Sequence, residues 1–226
     1  MSLLTTKKST EVRISDMILH SDRQIIVLNK PAGMPSQEDR TGDPSMHRLA
    51  QAYCKHDLFV VHRLDRPCSG ILLFAKTTTA AGALSEQWRD GKVTKRYLAV
   101  VPKGISPAEG TMTDHLEMAG GKVRIVPSGQ GKLAVLNYRT AGEIDRYTLL
   151  DIDLVTGRTH QIRAQLSARG FPVKGDVRYG ARRSNPWRGI HLHAYQLSLT
   201  HPTREETLTM TAPLPDEPVW KAFEFS

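Results

Sequence analysis

Apolar residues fall in short runs separated by turn chemistry. Residues 25–28 and 71–75 are continuous apolar stretches of strand length and predict buried strands. Asn29-Lys30-Pro31-Ala32-Gly33 closes the first with turn residues, leaving Lys30 at the strand's exit. Residues 95–101 form a further strand, closed by Pro102. Residues 110–126 read as a hairpin turning at Gly120-Gly121. Residues 134–139, 146–154, 191–199 and 207–211 supply more strands. Helical periodicity is rarer. Asp43-Pro44 reads as a cap and first residue for a helix over 45–55, with Leu49, Ala52 and Tyr53 on its inner face. Thr77 or Thr78 caps a helix that runs to Arg89, with Ala80, Leu84 and Trp88 on one face and Asp90-Gly91 as its stop. A third helix spans 159–169, ended by Gly170. Ile162 and Leu166 are its apolar pair, and Arg163 borders that face.

Strands outnumber helices, and no strand–helix–strand alternation appears. The pattern predicts an α+β fold with a mixed, mostly antiparallel sheet and covering helices. Residues 1–15 lack periodicity and are expected to be a disordered tail, with 16–226 forming a single domain.

Composition narrows the class. The chain has 226 residues, 39% hydrophobic and 24% charged, which is ordinary for a soluble globular protein. No apolar run approaches the ~18 residues of a membrane helix. The polar N-terminus lacks the apolar centre of a secretory signal. Cys54 and Cys68 make no metal or disulfide pattern. The expectation is a cytoplasmic monomer with no membrane association and no obligate protein partner. The formal net charge of +8 favours a polyanionic partner, most simply nucleic acid, over a merely basic enzyme.

Candidate chemistry concentrates in residues 61–76. There His62, Arg63, Asp65 and Arg66 stand on a loop ahead of the buried run. The bland alternative is a solvated turn of mutually paired charges. A carboxylate flanked by Arg63 and Arg66 keeps its charge, which suits a nucleophile or anionic base better than a general acid. Asp151 and Asp153 could make an acid pair with it, but nothing in the sequence brings them to Asp65. His191-Leu192-His193 has no further ligand at metal spacing and reads as sheet packing. Neither His62 nor His160 is a general base unaided. Residues 178–188 interleave Arg178, Arg182, Arg183 and Arg188 with Tyr179 and Trp187, a combination suited to RNA phosphates and unstacked bases.

These pieces, taken in order, resemble a known family. Residues 61–76 are similar to the catalytic motif of RluA-type RNA pseudouridine synthases, His-Arg-Leu-Asp followed by Thr-Ser-Gly and an apolar strand. Asn29–Gly33 resembles the family's Lys-Pro element, and Lys95-Arg96-Tyr97 its tyrosine motif. Gly157-Arg158-Thr159-His160-Gln161-Ile162-Arg163 resembles its arginine motif. Gly175-Asp176 with Tyr179-Gly180, and Leu192-His193-Ala194 with His201-Pro202, resemble the remaining elements. The resemblance implies isomerisation of uridine to pseudouridine in ribosomal or transfer RNA, with no metal and no cofactor. It implies Asp65 as the catalytic aspartate, Tyr97 stacked on the target base, Arg163 paired with Asp65, and Arg63 reaching into the RNA. Arg158, Arg182 and Arg183 complete the expected RNA contacts.

Two departures stand out. Cys68 replaces the usual threonine, a weaker hydrogen-bond partner expected to loosen the loop slightly. The chain leaves no room for the S4-like RNA-binding domain of many relatives, so recognition is expected from the catalytic domain itself. The competing classes are a non-catalytic RNA-binding protein on the same scaffold and a nucleoside or glycoside hydrolase.

Overall fold

The computed structural model describes residues 13–223. The expected tail lies mostly outside that range, but its last residues are ordered. Ile14–Met17 forms a 3-10 turn whose Met17 is buried. In chain order follow β1 (Ile18–Ser21), β2 (Ile25–Lys30), α1 (Met46–Cys54), β3 (Phe59–Val60), β4 (Ser69–Ala75), α2 (Thr78–Arg89), β5 (Thr94–Pro102) and β6 (Glu109–Ala119). Then come β7 (Lys122–Val126), β8 (Lys132–Ile144), β9 (Tyr147–Asp153), α3 (Gln161–Ala168), β10 (Leu192–Thr200), β11 (Thr207–Thr211) and α4 (Pro218–Lys221). The strands form one sheet in the order β1-β2-β4-β10-β5-β9-β8-β6-β7, with β3 on β4 and β11 on β10. The fold is α+β and mostly antiparallel, as the pattern predicts.

Strand β4 explains its own sequence. Its even and odd residues face different cores, so the apolar run is continuous rather than alternating. Ile71, Leu73 and Ala75 pack with Ile25, Val27 and the α2 residues Ala80 and Leu84. Leu72 and Phe74 pack with Ile26, Leu28 and the α1 residues Met46 and Ala50. Helix α2 starts as expected, with the Thr77 side chain accepting from Ala80 N–H. Helix α1 does not. Its cap is Ser45, whose hydroxyl accepts from Arg48 N–H, while the Asp43 carboxylate pairs with Arg66. Met46 and Ala50 pack inward on Leu72 and Phe74, and Ala52 and Tyr53 are exposed, against the expected inner face.

The one parallel contact among the described residues positions the loop before β4. It comprises two pairs, His193↔Ser69 and Ala194↔Gly70. Gly70 has φ +109°, and a Cβ there would lie 2.3 Å from the Ala194 carbonyl oxygen. Only glycine fits that approach. Between this contact and β3, the edge of β4 is open at Leu73, and a side chain fills the gap. His62 Nε2 accepts Leu73 N–H at 3.0 Å, and its ring stacks on Trp88 at 4.8 Å.

Burial, then the charge of Lys95, pushes the His62 imidazole down to about 4. In the unfolded chain it titrates near 6.5. Between those values the folded protein binds fewer protons than the unfolded chain, so stability falls as pH drops through that window. Urea melts at pH 7 and pH 5, followed by tryptophan fluorescence, are expected to show this loss. His62→Gln keeps an acceptor without the titration and should lose less. Equal acid sensitivity in both proteins would remove His62 as a cause.

Candidate active site

Asp65 is held by backbone on every side. Leu64 gives its N–H to Ser36 Oγ at 3.0 Å, and its carbonyl accepts the Ser36 hydroxyl at 2.8 Å. The Asp65 carbonyl accepts from Cys68 N–H at 3.0 Å, closing the turn. Arg66, read from the sequence only as a cation flanking Asp65, is a staple. Its carbonyl accepts from Gly33 N–H, while its guanidinium donates to Gly33 O, Asp39 and Thr41 and pairs with Asp43. Lys30 reinforces it from beneath. This fully buried ammonium donates to the carbonyls of Pro31, Met34 and Arg66 at 3.0, 2.8 and 3.2 Å. Burial lowers its pKa to about 8, against the opposing pull of Cys68 and Asp65. The Ala212 carbonyl can only accept, so His193 carries its proton on Nε2 and takes the Ser69 hydroxyl proton on Nδ1, 2.8 Å away.

The carboxylate itself is asymmetric. Asp65 Oδ2 accepts from Arg163 Nη1 at 2.9 Å, whereas Oδ1 has no hydrogen bond among the described residues. Arg163 is 4% exposed. The reading that placed it at the border of a buried face understated this, since Gln161 through Leu166 are all buried. Asp176, 2% exposed, takes Arg163 Nε and Nη2 in a two-point pair at 2.7 and 3.0 Å. The guanidinium also lies 4.8 Å from the Tyr179 ring centre. Burial works against the Arg163 charge, but the Asp176 hydrogen bonds and charge outweigh it and raise its pKa.

His160, expected from the sequence to orient a loop by hydrogen bonding, joins the same carboxylate. It caps α3 in a left-handed conformation, φ +51°, unusual for a non-glycine residue. Its Nε2 lies 3.7 Å from Asp65 Oδ2, close for a charge but long for a hydrogen bond. Nδ1 is 2.9 Å from the Tyr179 hydroxyl, which accepts Val123 N–H at 3.0 Å. Tyr179 is buried, and His160 Nδ1 is the one acceptor for its proton among the described residues. The hydroxyl therefore donates to Nδ1 and leaves the imidazole proton on Nε2, toward Asp65. Burial, opposed by Asp65 and assisted by Arg163 and Arg178, lowers the His160 pKa and keeps the ring neutral.

Asp65 opens onto a cleft of about 550 Å³, lined also by Arg63, Tyr97, Arg158 and His160. Tyr97 packs on the buried cluster of Ala99, Ile152 and Leu192. Burial first, then Cys68 and Asp65, pushes its phenol up, so it stays neutral. Cys68 is buried among apolar residues and its thiol is pushed up by burial. Its backbone N–H, not its side chain, holds the turn. Arg63 is exposed with no partner among the described residues. Arg158 is exposed and anchored by Nε on the Leu133 carbonyl at 2.9 Å.

Arg182 and Arg183 are exposed but are not among the residues that line this cleft. Their loop is not the interleaved platform the sequence suggested. Tyr179 is buried under α3, and Trp187 packs edge-on against His191 at 5.4 Å. Asp151 lies on the sheet's other face, bound by Arg96 and Arg139.

A family model described as RNA pseudouridylate synthase matches residues 24–168. The chain belongs to the RNA pseudouridylate synthase family. Among its relatives, the uncharacterized RNA pseudouridine synthase YlyB of Bacillus subtilis (strain 168) is 34% identical over 213 residues, covering 88% of this chain and 69% of that protein. Ribosomal large subunit pseudouridine synthase C of Buchnera aphidicola is 32% identical, covering 88% and 67%. The chain spans about two thirds of the length of these relatives. Among solved structures, human RNA pseudouridylate synthase domain containing 1 superposes with a TM-score of 0.76 at 27% identity, covering 91% of this chain and 86% of that one. The pseudouridine synthase match includes Asp65, Tyr97 and Arg163 and stops short of Asp176 and Tyr179.

The tautomer assignment is directly measurable. The histidine ¹⁵N spectrum at neutral pH is expected to show His160 protonated on Nε2 and bare on Nδ1. Tyr179→Phe removes the donor and should mix the tautomers. An unchanged spectrum in Tyr179→Phe would contradict the assignment.

Proposed function

We propose that this cleft isomerises specific uridines of a structured ribosomal or transfer RNA, with Asp65 as the catalytic aspartate. The observation that carries the reading is the Asp65 carboxylate. One oxygen is held by Arg163, and the other is open to the cleft that Tyr97 lines. The reaction breaks the C1′–N1 glycosidic bond, turns the uracil and joins C1′ to C5. The C5 proton is lost and N1 gains one, so atoms balance with no redox change and no cofactor in the proposed scheme. Asp65 Oδ1 attacks C1′ or removes a ribose proton. Arg163 keeps that carboxylate oriented throughout.

The target base must leave its stack to reach the cleft. Tyr97 offers a neutral ring on which the uracil stacks and turns without escaping. Arg63, free and exposed, enters the RNA in place of the displaced nucleotide. Arg158 takes backbone phosphate, and Arg182 and Arg183 form a peripheral contact beyond the cleft. Relatives named for the ribosomal large subunit make that RNA the first substrate to test. Among the described residues no helix is long and apolar enough to cross a membrane. The protein is proposed to act in the cytoplasm as a monomer.

Unmodified large-subunit rRNA and tRNA transcripts should acquire pseudouridine with the wild type, mapped by carbodiimide adduct stops, and none with Asp65→Asn. Equal product from both would remove Asp65 from the chemistry. Free uracil would indicate a hydrolase instead. Tyr97→Phe retains the ring, so RNA binding should persist while turnover falls about tenfold, the equivalent of ~1.4 kcal/mol.

A further inference from the structure

Burial lowers the pKa of three lysine ammonium groups, and two of them have evident compensation. Lys30 donates to three carbonyls, and Lys174 to Asn185 Oδ1 at 2.9 Å. Lys95 differs. It is half-buried and lines the cleft, and its ammonium has no hydrogen bond or ion pair among the described residues. The acid whose charge favours it, Asp153, pairs across from Arg96 and belongs to the sheet's other face. Its remaining charged neighbour is Arg158, which disfavours it. A desolvated cation with no direct partner is unfavourable, and an incoming anion relieves that.

The surroundings select the anion. Lys95 and Tyr97 are two residues apart on β5 and share its cleft face, so their Cα atoms lie about 7 Å apart. A Cβ on Gly157 would lie 4.0 Å from Lys95 Nζ, which places the ammonium beside the turn that carries Arg158. Arg158 is tied down through Nε alone, which leaves both terminal amines for a ligand. A fixed guanidinium and a point-charge ammonium suit the tetrahedral oxygens of phosphate.

We propose that Lys95 and Arg158 form a phosphate seat inside the cleft, taking a phosphodiester of the RNA strand next to the extruded uridine. The proposal rests on the reading of the cleft as an RNA site. The seat positions the strand; it does not touch the bonds that change. Removing its lysine therefore weakens binding in a salt-dependent way.

The test uses unmodified large-subunit rRNA transcript and the full chain as wild type, Lys95→Met and Lys95→Arg. Affinity is measured from about 50 to 200 mM salt, with single-turnover rates at saturating RNA. One lost phosphate contact lowers the slope of log affinity against log salt by about 0.7–0.9. Lys95→Met is expected to show that drop, with affinity about five- to tenfold weaker. Lys95→Arg should restore the slope. An unchanged slope in Lys95→Met overturns the seat, as does a rate loss without a slope change. A wild type that binds this RNA but makes no pseudouridine counts against the proposed function instead, and the slope still decides the seat.

Discussion

A guanidinium removed from water and shared between two carboxylates governs this molecule. An arginine as buried as Arg163 must be paired, because an uncompensated charge in the interior costs several kcal/mol. Asp176 meets that need with a two-point pair, itself almost wholly buried. The remaining amine is then committed in direction and meets Asp65 at 2.9 Å. The division of labour is what keeps Asp65 useful. Were Asp65 the sole counterion, both of its oxygens would be drawn into the pair. With Asp176 present, Oδ1 remains unengaged.

The fold supplies the same rigidity on the other side of the ion pair. The loop bearing Asp65 runs into a strand that touches β10 in parallel for only two residues, an approach that requires glycine at position 70. His62 closes the sheet edge left open beside that contact, and the Ser69–His193 hydrogen bond locks its start. Arg66 and Lys30 tie the loop to residues 30–43 through backbone carbonyls. Asp65 is thus fixed by its neighbours before any substrate arrives, which is the preorganisation that electrostatic catalysis requires.

Much of this was legible in the sequence, because strands with buried faces announce themselves through unbroken apolar runs and α2 through its threonine cap. The Asp65–Arg163 pairing followed from resemblance alone, since 98 residues separate the two. What escaped was long-range polar contact. Arg66 looked idle because its partners lie in the polar, irregular segment around residues 33–43. The cap of α1 was misplaced as well: Ser45 caps it, and Asp43 pairs with Arg66. Tyr179 seemed a surface ring among arginines, yet its hydroxyl is needed inside, between Val123 and His160. His160 carried no periodic signal, and only the hydrogen-bond accounting around it reveals which nitrogen holds the proton.

On the proposed assignment of Asp65, Asp176 acts on the reaction through Arg163, which holds both carboxylates. A double-mutant cycle on the single-turnover rate, with Arg163→Lys, Asp176→Asn and the pair, measures this directly once urea melts show each variant folded. If Asp176 works by aiming the guanidinium, the two losses overlap and the pair is scarcely slower than the worse single variant, a coupling of about 1–3 kcal/mol. If the losses simply add, Asp176 does not act through Arg163 and the account is wrong.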